Sequence, residues 1–215
     1  MNFNWTDNVV TKVLNRLADF VILNILWLVC SVPVITIGAS TSALYSVMMK
    51  IVRKKEGYVV SAFMQAFKDN FKKSTIMCIV FLLFCAVIIL DFLAAKTFGN
   101  NVGIVLCGLF LIFGIILVGI AVYTFSLQAL YENTIMNTLK NAFILTFVRL
   151  PYTILILLVT VGATVLTCAT VRTLMVGIVV WIFIGGSVVA GINCLILNRA
   201  YQIFKGIPKI DDSAK

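Results

Sequence analysis

Histidine is absent from all 215 residues, and only eight residues are acidic. Without imidazole there is no His-based acid–base pair, no Ser-His-Asp triad and no His-ligated metal site. The phosphate-cradling patterns G-x-x-x-x-G-K-[ST] and G-x-G-x-x-G do not occur, so the chain carries no recognisable nucleotide loop of its own. The hydrolase pattern G-x-S-x-G is also missing. Charge is scarce as well. Charged residues make up 12% of the chain and hydrophobic ones 62%, where a soluble domain has about a quarter charged and about half apolar. So few charges cannot cover a water-facing surface. The composition predicts an all-α integral membrane protein, with residues 1–215 as a single membrane domain. No enzyme, cofactor or metal is expected.

The six cysteines, Cys30, Cys78, Cys85, Cys107, Cys168 and Cys194, all fall inside apolar stretches, and none forms a C-x-x-C pair. They read as small hydrophobes rather than as disulfide or zinc ligands. The formal charge of +9 would point to nucleic acid in a soluble protein. Here the basic residues collect in short segments between apolar runs, as cytoplasmic loops facing anionic lipid do, so no nucleic-acid partner is expected. Lys12 and Arg16 precede an apolar run in the manner of a signal peptide. That charged lead is long, and apolar residues continue past the small-residue stretch Ala39–Ala43. An uncleaved membrane segment is expected.

Uncharged runs cover residues 20–49, 74–90, 97–131, 150–171 and 173–198. A spanning helix needs about 20 apolar residues, so each of the last four reads as one crossing, with Gly99, Asn100 and Asn101 turning the chain between two of them. The first run is too long for one upright span. Pro33 and Gly38 divide it into Ala18–Val32 and Ala39–Val52. Two arrangements fit: a thin helical hairpin, or one crossing followed by an interfacial helix. The hairpin gives six spans and puts 15 basic residues inside against two outside, Lys96 and Arg172. The five-span alternative gives 13 against four. The positive-inside rule favours the hairpin, with both termini and the tail 201–215 in the cytoplasm.

Two polar segments carry helical periodicity. In one, Val60, Phe63, Met64, Phe67 and Phe71 share a face, opposite Gln65, Lys68, Asp69 and Lys72. In the other, Ile135, Leu139, Phe143 and Phe147 lie opposite Asn137, Lys140 and Asn141. Both predict amphipathic helices lying in the cytoplasmic interface. A shift of 72 residues aligns Phe67-Lys68 with Leu139-Lys140 and Phe71 with Phe143. That alignment suggests tandem helix–span–span units over 58–130 and 131–200.

Three groups stand out as candidate functional residues. Lys50, Arg53, Lys54, Lys55, Lys68, Lys72 and Lys73 form a cytoplasmic basic cluster suited to anionic lipid or to a partner's acidic face. Asp91 is the one carboxylate within the later spans, near the outer end of its helix, where it would snorkel or neighbour Lys96. Gly186, Ser187, Ala190 and Gly191 make two small-xxx-small pairs that let another helix approach closely. Glu132 would favour the start of the helix after it through its charge.

Specific residues also carry a resemblance. Pro33-Val34-Ile35-Thr36-Ile37-Gly38-Ala39, Ala43-Leu44-Tyr45, Glu56-Gly57-Tyr58 and Ala66-Phe67-Lys68-Asp69-Asn70-Phe71-Lys72, in that order, resemble the YesL family of bacterial membrane proteins. The likeness extends along the chain, including Pro151 at the start of a later span. It implies the cytoplasmic membrane of a Gram-positive bacterium and genes beside carbohydrate ABC importers, glycoside hydrolases and sensor kinases. It supplies no catalytic residues. The expectation is a non-enzymatic accessory protein of a carbohydrate ABC uptake system, touching its permease or ATPase subunits. The alternative is a small-solute transporter or substrate-binding membrane subunit.

Overall fold

The computed structural model describes residues 9–53, 57–98 and 101–202. Of these, 93% are helical and none is in a strand. The elements are α1 (Val9–Ser31), a short 3-10 turn (Val34–Thr36), α2 (Ile37–Val52), α3 (Val59–Thr97), α4 (Asn101–Leu130), α5 (Ile135–Val148), α6 (Leu150–Cys168) and α7 (Val171–Val180). A π turn (Trp181–Gly185) then leads into α8 (Gly186–Gln202). Six helical stretches are long and apolar enough to cross a membrane, the last of them running through α7, the π turn and α8. The fold is a polytopic all-α helical bundle.

The first apolar run is two helices, as the hairpin arrangement requires. α1 stops where Pro33 takes an extended conformation, since a proline ring clashes with the preceding turn and offers no N–H. The Thr36 hydroxyl then donates to the carbonyls of Cys30 and Pro33, both at 2.7 Å, occupying acceptors left at the helix end. Gly38 is not the breaker that its position in the sequence suggests. It lies in the first turn of α2, where a Cβ would come within 2.5 Å of the Ser74 carbonyl oxygen and 2.6 Å of Cys78 Cβ. Its lack of a side chain is what lets α2 meet α3.

α2 is the buried axis of the bundle. Ala39, Ser40, Ser42, Ala43, Leu44, Tyr45, Val47, Met48 and Met49 are all buried, so nearly every face of this helix is covered. It packs against α3, α8, α4 and α1. The Ser42 and Ser74 hydroxyls hydrogen-bond at 2.8 Å across the α2–α3 contact. Phe63, Met77, Tyr123, Leu127 and Leu197 complete the core around it.

The first amphipathic segment is not a separate interfacial helix. α3 runs unbroken for 39 residues, about 58 Å at 1.5 Å per residue against a hydrocarbon core of about 30 Å. Lys72 and Lys73 mark a change of environment, but charge does not interrupt a helix and no proline or glycine lies in α3. The segment is therefore the membrane-proximal extension of a span. The second amphipathic segment is separate: α5 ends at Val148, Arg149 leaves the helical region, and Pro151 sits in the first turn of α6. Its buried residues are Thr138, Ala142, Leu145 and Thr146. Phe143 and Phe147 flank that face, exposed, with ring centroids 4.9 Å apart.

Past the hairpin turn, which meets α3 at Ser74 and Cys78, residues 79–97 continue for about 28 Å. Their neighbour there is α4, and the outer faces expose Leu83, Phe84, Val87, Leu90, Ile104, Leu111 and Ile112. In a bilayer such surface meets hydrocarbon rather than water, so its exposure carries no hydrophobic penalty.

Candidate docking surface

One end of the bundle gathers the end of α2, the start of α3, the α4–α5 connection, α5 and the end of α8. Cross-helix bonds hold these parts together. Arg53 Nε donates to Asn198 Oδ1 at 3.3 Å, and Lys73 Nζ donates to the Asn133 carbonyl at 3.0 Å. Gln128 Nε2 donates to Asn70 Oδ1 at 3.1 Å, and the Ser126 and Tyr201 hydroxyls bond at 2.6 Å. Tyr201 therefore belongs to the bundle, not to a tail starting at residue 201. Residues 203–215 lie outside the described residues.

The basic cluster is thereby divided by role. Arg53 and Lys73 are half-buried and committed to neighbouring helices. Lys50, Lys68 and Lys72 are exposed. Lys54 and Lys55 lie outside the described residues. Lys140 and Arg199 are exposed at the same end, so the surface remains cationic after the internal commitments. Burial pushes the Tyr131 phenol above its ordinary pKa, and the nearby Arg53 charge pulls it partly back. Tyr131 stacks edge-on to Tyr201 at 6.3 Å, so the floor of this surface is aromatic.

Glu132 does not cap α5. Thr134 is the N-cap, its hydroxyl accepting the Asn137 N–H at 3.4 Å, and Glu132 is exposed. Asp91 is exposed on the C-terminal half of α3. Lys96 lies over the Phe92 ring, 4.9 Å from its centroid. Gly186, Ser187, Ala190 and Gly191 are all buried. A Cβ on Gly186 would come within 2.8 Å of the Trp27 ring, and one on Gly191 within 3.2 Å of Phe20. The small residues of α8 thus face α1 of the same chain.

Two buried asparagines were not singled out by sequence reasoning. Asn24 is fully buried, and its Nδ2 donates to the carbonyls of Trp181 and Ile182 at 2.9 and 2.7 Å. Asn193, also fully buried, donates from Nδ2 to Thr160 Oγ1 at 2.9 Å and to the Tyr45 hydroxyl at 3.4 Å. Its Oδ1 is buried without a partner. The only available signal was an isolated Asn inside an apolar run, where an amide is costly unless bonded.

The fold defines a multi-pass helical membrane protein. Residues 20–92, most of α1 through most of α3, match the family described as "Protein of unknown function, DUF624", the family to which YesL-like proteins belong. That stretch is about a third of the chain and contains the hairpin, the Gly38 contact and Lys50, Arg53, Lys68, Lys72 and Lys73. No curated protein and no solved structure matches the chain.

Proposed function

We propose that this is a YesL-like, non-enzymatic accessory protein of the bacterial cytoplasmic membrane that docks a partner through its basic end. The observation that carries the reading is the division of the cations. Arg53 and Lys73 bind neighbouring helices, while Lys50, Lys68 and Lys72 stay exposed on the same surface. Orientation in the membrane needs only a few positive charges, and the remaining ones suit an acidic protein face by steering and complementarity. The YesL resemblance supplies the partner class, a permease or ATPase subunit of a carbohydrate ABC importer. The basic end would then face the cytoplasm, with both termini on that side.

The test is charge reversal. Lys50→Glu, Lys68→Glu and Lys72→Glu in one chain leave Arg53 and Lys73 in place. Uptake of the importer's sugar should fall in cells carrying this variant while its membrane level is unchanged. Unchanged uptake overturns the reading.

One observation favours the alternative of a small-solute transporter. Asn193, Tyr45 and Thr160 bring polar groups from α8, α2 and α6 together near the middle of α2 and α6, and Asn193 Oδ1 has no partner. A transporter would move solute when the purified protein alone is placed in liposomes, and Asn193→Leu would abolish that flux.

A further inference from the structure

The two buried asparagines differ in how fully they are bonded. Asn24 uses both ends of its carboxamide. Its Nδ2 donates to the Trp181 and Ile182 carbonyls, and its Oδ1 accepts the Ser187 N–H. Asn193 uses one end only. Its Nδ2 donates to Thr160 Oγ1 at 2.9 Å and to the Tyr45 hydroxyl at 3.4 Å, while nothing among the described residues donates to Oδ1. Both side chains are fully buried. An amide oxygen in that position is costly without a donor.

The Tyr45 hydroxyl has the complementary need. Its oxygen accepts from Asn193, which leaves its hydrogen to be donated. No described residue accepts that hydrogen, and Tyr45 is 5% exposed. The thiol beside it, Cys194, is committed, with Sγ donating to the Tyr45 carbonyl at 3.9 Å. One cluster therefore holds an acceptor that lacks a donor and a donor that lacks an acceptor. Both sit on the same carboxamide: Oδ1 belongs to it, and the phenol oxygen is bonded to its Nδ2. The gap between them is little more than one hydrogen bond plus the width of an amide. A molecule making two bonds of about 2.8 Å spans it.

We propose that Asn193, Tyr45 and Thr160 form a binding site for one water molecule, which donates to Asn193 Oδ1 and accepts from the Tyr45 hydroxyl. Water is donor and acceptor at once, and two polar partners are enough to hold it when buried. None of α2, α6 and α8 carries an acidic residue, so the site suits a neutral ligand rather than a cation. Thr160 fixes which way the carboxamide faces by accepting from Nδ2. From Leu150 to Thr160 is about 15 Å of helix, half of a hydrocarbon core of about 30 Å, which puts the water at the middle of the membrane. There it completes the junction of α2, α6 and α8, apart from the basic docking surface.

The test is water-edited solid-state NMR of the isotope-labelled full chain in lipid bilayers. Magnetisation that starts on water protons is followed to side-chain carbons, with Asn24 as the internal standard, since it is equally buried but fully bonded. The signals of Asn193 Cγ and Tyr45 Cζ should rise severalfold faster with mixing time than that of Asn24 Cγ. Tyr45→Phe keeps the ring and removes the hydroxyl, and it should slow Asn193 Cγ to the rate of Asn24 Cγ. Wild-type Asn193 Cγ rising no faster than Asn24 Cγ overturns the proposal, and that comparison needs no variant. A Tyr45→Phe chain that elutes as wild type yet keeps fast transfer to Asn193 Cγ also overturns it, because the water would then not be shared with the phenol.

Discussion

Asn24 Oδ1 accepts the backbone N–H of Ser187 at 2.9 Å, joining the first span to the last across 163 positions of sequence. The same carboxamide donates to the carbonyls of Trp181 and Ile182, inside the π turn. A π turn changes the register of the helical hydrogen bonds, and a buried carbonyl left over by that change needs a donor. Asn24 supplies it where no water would.

Asn24→Leu keeps the side-chain volume roughly but leaves these backbone groups without their partner. Stability should fall by about 1–3 kcal/mol, the cost of an unsatisfied buried group, toward the lower end if the π turn relaxes. Ser187→Ala is the control. It removes a hydroxyl that donates to the Ile184 carbonyl but keeps the N–H that Asn24 binds, so the loss should stay near 0.5 kcal/mol. Unfolding titrations in mixed detergent micelles measure both. Equal stability of Asn24→Leu and wild type would contradict the account.

A glycine series separates helix contacts from helix flexibility. Gly38→Ala should destabilise strongly, because the added methyl meets the Ser74 carbonyl and Cys78 within 2.6 Å. Gly186→Ala should also lose stability, against Trp27 and Asn24. Gly108→Ala, with nothing within 4 Å of the new Cβ, should be neutral or gain up to about 1 kcal/mol from the better helix former. Thermal melts in detergent rank the three, and a reversed order would show that the α2–α3 and α1–α8 contacts are misplaced.

The amphipathic segments give unequal responses. Phe63 is fully buried, so Phe63→Ala should cost about 3–5 kcal/mol. Phe143 is 55% exposed, and Phe143→Ala should cost under about 1 kcal/mol. Phe67→Asp and Phe143→Asp should both lower stability in membranes, the first by placing a charge beside Phe63 and Phe71 and the second by placing one against lipid. Full retention of both Asp variants in the membrane, with wild-type melting, would remove the interfacial role.

The sequence disclosed the spans and the hairpin for local reasons. Apolar length is counted directly, and Pro33 cannot lie inside a helix. The amphipathic pattern and the uncharged run 74–90 read as two elements, yet α3 is continuous, because Lys72-Lys73 records only a change of surroundings and not a break in the backbone. Arg149-Leu150-Pro151 does interrupt the helix, and there the amphipathic period predicts the separate α5, although its inward face centres on Thr138, Ala142 and Leu145. Asn24 and the π turn were illegible because each makes sense only through the other, 157 and 158 residues apart. The division of the basic cluster was hidden for the same reason, since Asn198 and Asn133 are distant partners.

Topology gives an independent prediction. Single cysteines at Asn2, Lys55, Lys140 and Lys215, placed in a cysteine-free chain, should all be shielded from a membrane-impermeant maleimide in intact cells. Each should label after permeabilisation, as the positive-inside rule predicts from the 15-to-two distribution of basic residues. Labelling of Lys55 from outside would reverse the orientation of the basic end and remove its cytosolic partner.

The most direct measurement of the docking account is quantitative mass spectrometry of chains that co-purify with the tagged protein in mild detergent, across a series of salt concentrations. The account predicts importer subunits in near-stoichiometric amounts at low salt. Recovery should decline as ionic strength rises and be lost with Lys50→Glu, Lys68→Glu and Lys72→Glu combined. Recovery of the protein alone at every salt concentration, or a partner whose yield ignores both salt and charge reversal, would contradict it.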